Sequence, residues 1–222
     1  MNILVTLGGT EEPLDGVRCL SNRSTGSTGR AIAAHFDSRG AQVTLLHAER
    51  VQVGDLSLTT ASYRTFDELA DLLQRRLAGE HFDAVIHLAA VGDYHLEAIE
   101  VDGRTLAPGG RGKIGSGHDL LLRLAPNPKL IDSLQTWSQN PDLRIVGFKL
   151  TDSEDLAGRE AAARSLLDRG VAEFVVLNDI GEIRGSQHPA VIYADTGVVS
   201  KTSDKNELAA ALYTLLAAGA PA

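Results

Sequence analysis

Residues 22–36 read N-R-S-T-G-S-T-G-R-A-I-A-A-H-F. A polar loop punctuated by Gly26 and Gly29 feeds directly into the apolar helical spacing of Ala31–Phe36. The first four N–H groups of a helix have no partner inside it, and the helix dipole adds roughly half a positive charge there. Such a junction is a natural seat for an anion, most often a phosphate. Upstream, the apolar run Asn2–Thr6 reads as a buried strand that turns through Gly8-Gly9-Thr10. Strand, glycine turn, polar loop and helix together point to a nucleotide or a phosphorylated small molecule as ligand.

The same alternation continues along the chain. Ile3–Thr6, Gln42–His47, Ala84–Leu88, Arg144–Phe148 and Glu173–Leu177 are rich in Val, Ile and Leu and lack strict polar alternation, as strands covered on both faces do. Leu58–Ala61 reads as a further short strand. Helical spacing marks Thr28–Asp37, Phe66–Leu77, Lys129–Ser138, Glu154–Arg169 and Lys205–Ala217. Thr65 and Glu68 form a capping box, and Gly40 and Gly170 stand where helices stop. This pattern predicts the α/β class, a doubly wound, Rossmann-like, mostly parallel sheet with right-handed crossovers. Two segments break the rhythm. Residues 91–126, which contain Pro108-Gly109-Gly110, read as a long active-site loop. Residues 190–201, centred on Asp195-Thr196-Gly197, read as an appended C-terminal β-hairpin. No repeat or linker divides residues 1–222, so a single domain is expected.

Composition removes several functions. A net charge of −8 leaves no basic surplus for nucleic-acid phosphates. The one cysteine, Cys19, cannot form an internal disulfide and fits a reducing cytoplasm. No apolar run approaches the ~20 residues of a membrane span, and the N-terminus enters a strand without a signal-peptide pattern. The seven histidines show no metal-ligand spacing, and Cys19 has no neighbouring base.

Five stretches, taken in order, carry a family resemblance. The first is Thr6-Leu7-Gly8-Gly9-Thr10 with Glu12-Pro13-Leu14-Asp15 and Val17-Arg18; the second is Ser21-Asn22 with Ser24-Thr25-Gly26 and Gly29. The third is Ala89-Ala90-Val91-Gly92-Asp93-Tyr94, and the fourth is Lys113-Ile114 with Pro126 and Pro128-Lys129-Leu130. The last is Val146-Gly147-Phe148-Lys149-Leu150 with Leu177-Asn178-Asp179. In this order they resemble phosphopantothenoylcysteine synthetase, also called phosphopantothenate–cysteine ligase, over Asn2 to about Leu212. The chain is similar to the stand-alone form, without a preceding flavin-dependent decarboxylase half, so no flavin is expected. It departs from the family at Lys113-Ile114-Gly115-Ser116, where many members carry K-I-K-K. It departs again at Lys149-Leu150, where many bacterial members have alanines and some stand-alone and eukaryotic-type members do not.

The resemblance implies a ligase that joins 4′-phosphopantothenate to cysteine, with CTP as cosubstrate, ATP as the alternative, and Mg²⁺ on the triphosphate. It implies a cytoplasmic homodimer, with the appended hairpin as the expected contact. Lys113 would neutralise phosphate oxygens as the acyl-nucleotide forms, and Asn22 would hydrogen-bond that intermediate; these are the expected catalytic pair. Gly8, Gly9, Ser24, Thr25, Gly26 and Gly29 would form the phosphate-binding surface. Ala89 and Ala90 would expose backbone to a base edge, and Asp93 would accept from a ribose hydroxyl or base amine. Phe148 would stack on the base, Lys149 would add a polar contact to the nucleotide, and Arg18 and Asn178 would contact substrate. Plainer roles stand beside these: Asn22 as a turn cap, Lys113 as a solvated loop lysine, Phe148 as core. Two other functions fit parts of the pattern, a short-chain-type NAD(P) oxidoreductase and a non-catalytic nucleotide sensor. Against the first, G-x-G-x-x-G does not follow the opening strand, and no tyrosine has a lysine four residues on.

Overall fold

Ile3, Leu4, Val5 and Leu7 are entirely buried, because β1 (Asn2–Leu7) lies inside a sheet covered on both faces. A short hairpin follows, β2 (Glu11–Pro13) and β3 (Cys19–Ser21), then α1 (Ser27–Ser38), β4 (Gln42–Ala48), β5 (Thr59–Tyr63), α2 (Phe66–Gly79) and β6 (Ala84–His87). Next come β7 (Tyr94–Val101), β8 (Arg104–Leu106), β9 (Leu120–Pro126), a 3₁₀ turn at Leu130–Ser133, and α3 (Leu134–Trp137). The chain ends with β10 (Arg144–Thr151), α4 (Leu156–Asp168), β11 (Phe174–Asp179), a 3₁₀ turn at Ile180–Glu182, β12 (Ala190–Ala194), β13 (Gly197–Thr202) and α5 (Lys205–Ala217). This computed structural model describes residues 1–54, 58–110, 112–117, 119–184 and 187–219.

The main sheet has eight strands in the order β13-β12-β11-β10-β6-β1-β4-β5. Every pairing from β5 across to β11 is parallel, and β12 and β13 add antiparallel at the far edge. The chain starts in the middle, builds outward through β4 and β5, then α2 carries it back to build β6, β10 and β11 the other way. Right-handed crossovers in opposite directions place α1 and α4 on opposite faces. α1 packs against α5, and α2 against α3. The build direction reverses between β1 and β6, and it is outside the carboxyl ends of strands at such a reversal that open α/β sheets bind ligands.

Local sequence accounts for much of this. α2 buries Phe66, Leu69, Leu73 and Leu77 at helical spacing, each contributing about 1.5–3 kcal/mol of apolar burial. Its capping box forms as the sequence predicts, Thr65 accepting from the Glu68 amide and Glu68 from that of Thr65. Gly40 and Gly170 have left-handed φ of 79° and 66°, as helix-terminating glycines do.

Three expectations need correction. Within residues 91–126 the chain is not a loop: β8-β7-β9 form a separate antiparallel sheet, with Leu96 and Ile99 buried on its inner side. Its strands escape a buried-strand pattern because their outer face is solvated; Arg111 and His118 of this segment lie outside the described residues. The helix expected at Lys129–Ser138 is a 3₁₀ turn followed by four α-helical residues. The helix expected from Glu154 starts at Leu156, because the Asp155 carboxylate caps the Ala157 amide. The hairpin at 190–201 does form, as β12 and β13, and the short strand near residue 60 is β5.

Tyr63 ties this frame to the loop that follows β1. Its ring is 1% exposed, and its hydroxyl donates to the carbonyl of Leu7 at 2.8 Å, with the Gly8 carbonyl at 3.2 Å. Burial raises the phenol pKa, so it stays a donor. Gly8 itself has φ +94°, and a Cβ there would lie 2.5 Å from that of Ala48. Tyr63→Phe leaves the buried carbonyls without this donor; urea unfolding is expected to show stability lower by about 1–2 kcal/mol with an unchanged m-value.

Candidate active site

Beyond the ends of β1 and β6, the two segments stay zipped together. The Ala90 amide donates to the Gly8 carbonyl at 2.8 Å, and the Thr10 amide to the Ala90 carbonyl at 3.3 Å. The Thr10 hydroxyl accepts from the Gly92 amide at 2.8 Å. One turn lower, Thr6 Oγ accepts from the Ala89 amide at 3.1 Å and lies 3.0 Å from Nδ1 of His87. Burial pushes His87 down to about 4, so the imidazole is neutral at pH 7 and pairs with Thr6 as a neutral ring. These bonds fix Ala89 and Ala90 at the point where the sheet reverses.

Asn22 closes the arrangement from the other side. Its Nδ2 donates to the Val91 carbonyl at 3.2 Å and reaches that of Ala90 at 3.5 Å. Its own carbonyl lies so near Gly9 that a Cβ there would sit 2.8 Å from it. Gly26, with φ +69°, then starts α1 without any side-chain cap, and no acidic residue occupies the first turn. A Cβ on Gly26 or Gly29 would press into Leu7, so these glycines bring the helix start close against β1.

A cleft of about 1100 Å³ opens at this point. Asn22, Ser24, Thr25, Gly26, Gly29, Ala89, Ala90, Asp93, Phe148, Lys149 and Asn178 all line it, so most of the residues expected from sequence share one wall or another. Among the described residues its lining holds five cationic side chains, Arg23, Lys129, Lys149, Arg169 and Lys205, against one carboxylate, Asp93. Asp93 is itself paired with Lys129 at the exposed rim, and Arg169 is paired with Asp132. Asn178 donates Nδ2 to the Pro189 carbonyl at 2.6 Å, which leaves its oxygen as the remaining polar group. Next to it, Asp179 is buried, accepts from Thr151 Oγ at 2.7 Å, and lies 3.1 Å from Arg159. The Thr151 hydroxyl is the chief cause holding the Asp179 carboxyl below its usual range.

Four of the expected residues lie outside the lining. Gly8 and Gly9 form the turn behind it. Arg18 and Lys113 sit together elsewhere, on a clamp centred on Asp15. The Asp15 carboxylate accepts from Arg18 Nη2 at 2.6 Å, from the Ile114 amide at 3.0 Å and from the Val17 amide at 2.9 Å. Arg18 also donates to the Ile114 carbonyl at 3.0 Å, and the Gly16 amide to that of Gly112 at 2.9 Å. The Arg18 guanidinium, then the amides, hold the Asp15 carboxyl well below the usual carboxylate range. Arg18 is therefore committed to protein partners, whereas Lys113 is exposed and makes no side-chain bond with a described residue.

Sequence reasoning passed over Arg23, Arg169, His188 and Lys205. Of these only Lys205 left a signal, a cation on the first residue of a helix. Among the described residues no three His, Cys, Asp or Glu side chains cluster as a metal cage, and no helix is long and apolar enough to cross a membrane.

Comparison with known proteins identifies the family and the fold. The bifunctional coenzyme A biosynthesis protein CoaBC of Thermococcus kodakarensis is 31% identical over 214 residues, covering 95% of this chain and 49% of that protein. The CoaBC of Escherichia coli K12 is 30% identical over 188 residues, 82% of this chain and 42% of that protein. The chain thus spans about half the length of the curated relatives it matches. The crystal structure of the DNA/pantothenate metabolism flavoprotein from Streptococcus pneumoniae has a TM-score of 0.86 at 27% identity, covering 98% of this chain and 99% of that one. Cab2 in complex with phosphopantothenate-cysteine shares the fold, with a TM-score of 0.71 at 18% identity over 98% of this chain and 87% of that one. Residues 1–219 match a single family description, and the chain belongs to that family, the DNA/pantothenate metabolism flavoprotein C-terminal domain.

Proposed function

We propose that this chain is a phosphopantothenate–cysteine ligase that works through an acyl-nucleotide. The observation that carries the reading is the charge of the cleft: five cationic side chains and one carboxylate among the described residues, in a protein of net charge −8. A site so biased against the rest of the molecule is suited to polyanionic ligands, and both a nucleoside triphosphate and 4′-phosphopantothenate are polyanions.

A free carboxylate does not acylate an amine at pH 7, so it must first be activated. The phosphopantothenate carboxylate oxygen attacks the α-phosphorus of the nucleotide, the bond to the β-phosphate oxygen breaks, and pyrophosphate leaves. The cysteine amine then attacks the acyl carbon, loses a proton, and the nucleoside monophosphate departs as the amide forms. CTP is the first choice of nucleotide and ATP the alternative. Magnesium enters with the triphosphate as its counter-ion and shields charge on the phosphate oxygens. In the second step Asn22, held against the Ala90–Val91 backbone, stabilises the acyl intermediate; in the first step Lys113, which stands outside the cleft lining, neutralises phosphate charge once the segment that carries it closes over the substrate. Ala89, Ala90, Asp93, Phe148 and Lys149 hold the nucleotide, and Asn178 contacts the acid. Arg18 acts on substrate after exchanging part of its pairing with Asp15.

A homodimer is part of the proposal; the expected contact at the C-terminal hairpin exposes Val198 and Val199, and the β7–β9 sheet, which exposes more large apolar side chains, is the face we take for the dimer. Tyr94, 55% exposed, and exposed Leu106, Leu122 and Leu124 lie on the same face of that sheet as Leu96 and Ile99, with Leu121, 67% exposed, on the other face. So much apolar area on one small sheet favours a covering partner over water. The double variant Leu122→Glu, Leu124→Glu is expected to sediment as a monomer where the unmodified chain sediments as a dimer; a monomeric unmodified chain would remove this part of the reading.

The reaction is tested with purified protein, Mg²⁺, 4′-phosphopantothenate, cysteine and either CTP or ATP. Pyrophosphate release that depends on phosphopantothenate, with the amide detected by mass spectrometry, is the expected result. Asn22→Ala is expected to release pyrophosphate yet slow amide formation by about 10²–10³-fold, and Lys113→Gln to slow the pyrophosphate step itself by a comparable factor. Normal turnover by both variants would show that the two roles are misassigned.

A further inference from the structure

Lys205 is the first residue of α5, where that helix's own amides already concentrate positive charge. Helices favour acids at this end, and α5 otherwise follows the rule, with Asp204 as its cap and Glu207 in its first turn. The Asp204 carboxylate is committed to the amides of Asn206 and Glu207. The lysine is therefore in an electrostatically poor place for stability. Its side chain leaves α5 and reaches the first turn of α1, where Nζ donates to Ser27 Oγ at 2.7 Å. It pairs with no carboxylate among the described residues, and it lines the cleft with Ser27, Thr28 and His188.

The surroundings leave the charge uncompensated. α1 brings the start of a second helix to the same corner, with a glycine cap and no acid in its first turn. Thr28 Oγ lies 3.2 Å from Nε2 of His188, whose buried Nδ1 has no hydrogen-bond partner. Burial, then the charge of Lys205, lowers the His188 pKa, so this ring answers the lysine by staying neutral rather than by pairing with it. A half-buried ammonium between two helix starts, facing hydroxyls and a neutral imidazole, lacks only an anion.

We propose that Lys205 binds a phosphate group of the ligand, together with the hydroxyls of Ser27 and Thr28. The assignment deepens the ligase reading and rests on it for the identity of the ligand. The group is either a phosphate of the nucleotide or the 4′-phosphate of phosphopantothenate; the chemistry of recognition is the same. Loss of one charge-assisted hydrogen bond to a phosphate corresponds to about a tenfold to hundredfold loss of affinity.

Calorimetric titration without turnover separates the two sources. Mg²⁺–CTP and 4′-phosphopantothenate are titrated separately, without cysteine, into the unmodified chain, Lys205→Gln and Lys205→Arg. Lys205→Gln is expected to weaken one of the two ligands by about tenfold to a hundredfold, and the ligand affected names the phosphate. Lys205→Arg is expected to keep most of that affinity. Because the lysine opposes the dipole of α5, Lys205→Gln should melt no lower than the unmodified chain, an outcome that a merely structural lysine would not give. Unchanged affinity for both ligands, or a loss that comes with a lower melting temperature and is not restored by arginine, overturns the proposal. If the unmodified chain binds neither ligand the ligase reading fails, and inorganic pyrophosphate then serves as probe. Weaker pyrophosphate binding by Lys205→Gln upholds the lysine's role; equal binding, or none by either protein, overturns it.

Discussion

Two backbone hydrogen bonds beyond the sheet, from Ala90 to Gly8 and from Thr10 to Ala90, are the constraint on which the site depends. Strands that diverge at a reversal of sheet order ordinarily leave an open crevice. Here the crevice floor is itself ordered, because β1 and β6 continue as paired backbone past their last sheet residues. Tyr63 holds the floor from one side and Asn22 from the other. Everything placed on that floor, the glycine loop, the start of α1 and the Ala89–Asp93 segment, inherits its precision from packed strands rather than from a mobile loop.

Charge is distributed to match. The protein is acidic overall, yet the cleft gathers Arg23, Lys129, Lys149, Arg169 and Lys205 around a single carboxylate. Some of these cations are already engaged, Lys129 with Asp93 and Arg169 with Asp132, and exposed pairs of this kind contribute little to stability. Lys205 differs, since its partner is a hydroxyl and its place on α5 works against the helix. The Asp15 clamp is the opposite case. Its charges satisfy one another and fasten the segment around Ile114 to the turn after β2, without touching the cleft lining.

The parallel core was legible because its strands are buried on both faces and write themselves as unbroken Val, Ile and Leu. Thr65, Glu68, Gly40 and Gly170 marked helix ends through backbone requirements that act within a few residues. The β7–β9 sheet was hidden because its outer face is solvated and its apolar side chains do not alternate cleanly; Leu120, Leu121 and Leu122 run together. The short α3 was over-read, since helical spacing persists through Leu130–Trp137 although Lys129, just ahead of the 3₁₀ turn, has an extended backbone. Among site residues, those within glycine or alanine motifs could be found from local chemistry. Lys205 and His188 reach the cleft only through tertiary packing, the lysine as α5 packs beside α1 and the histidine from the segment ahead of β12, across some 160 to 180 residues of sequence.

The floor between β1 and β6 is the proposed ligand site. Backbone hydrogen exchange, measured with and without Mg²⁺–CTP and 4′-phosphopantothenate, tests it most directly. Exchange is expected to slow at Ser24–Gly29 and at Ala89–Asp93, with β12 and β13 unchanged. Protection that appears elsewhere while both segments exchange at their free rates, or no protection at saturating ligand, would contradict it.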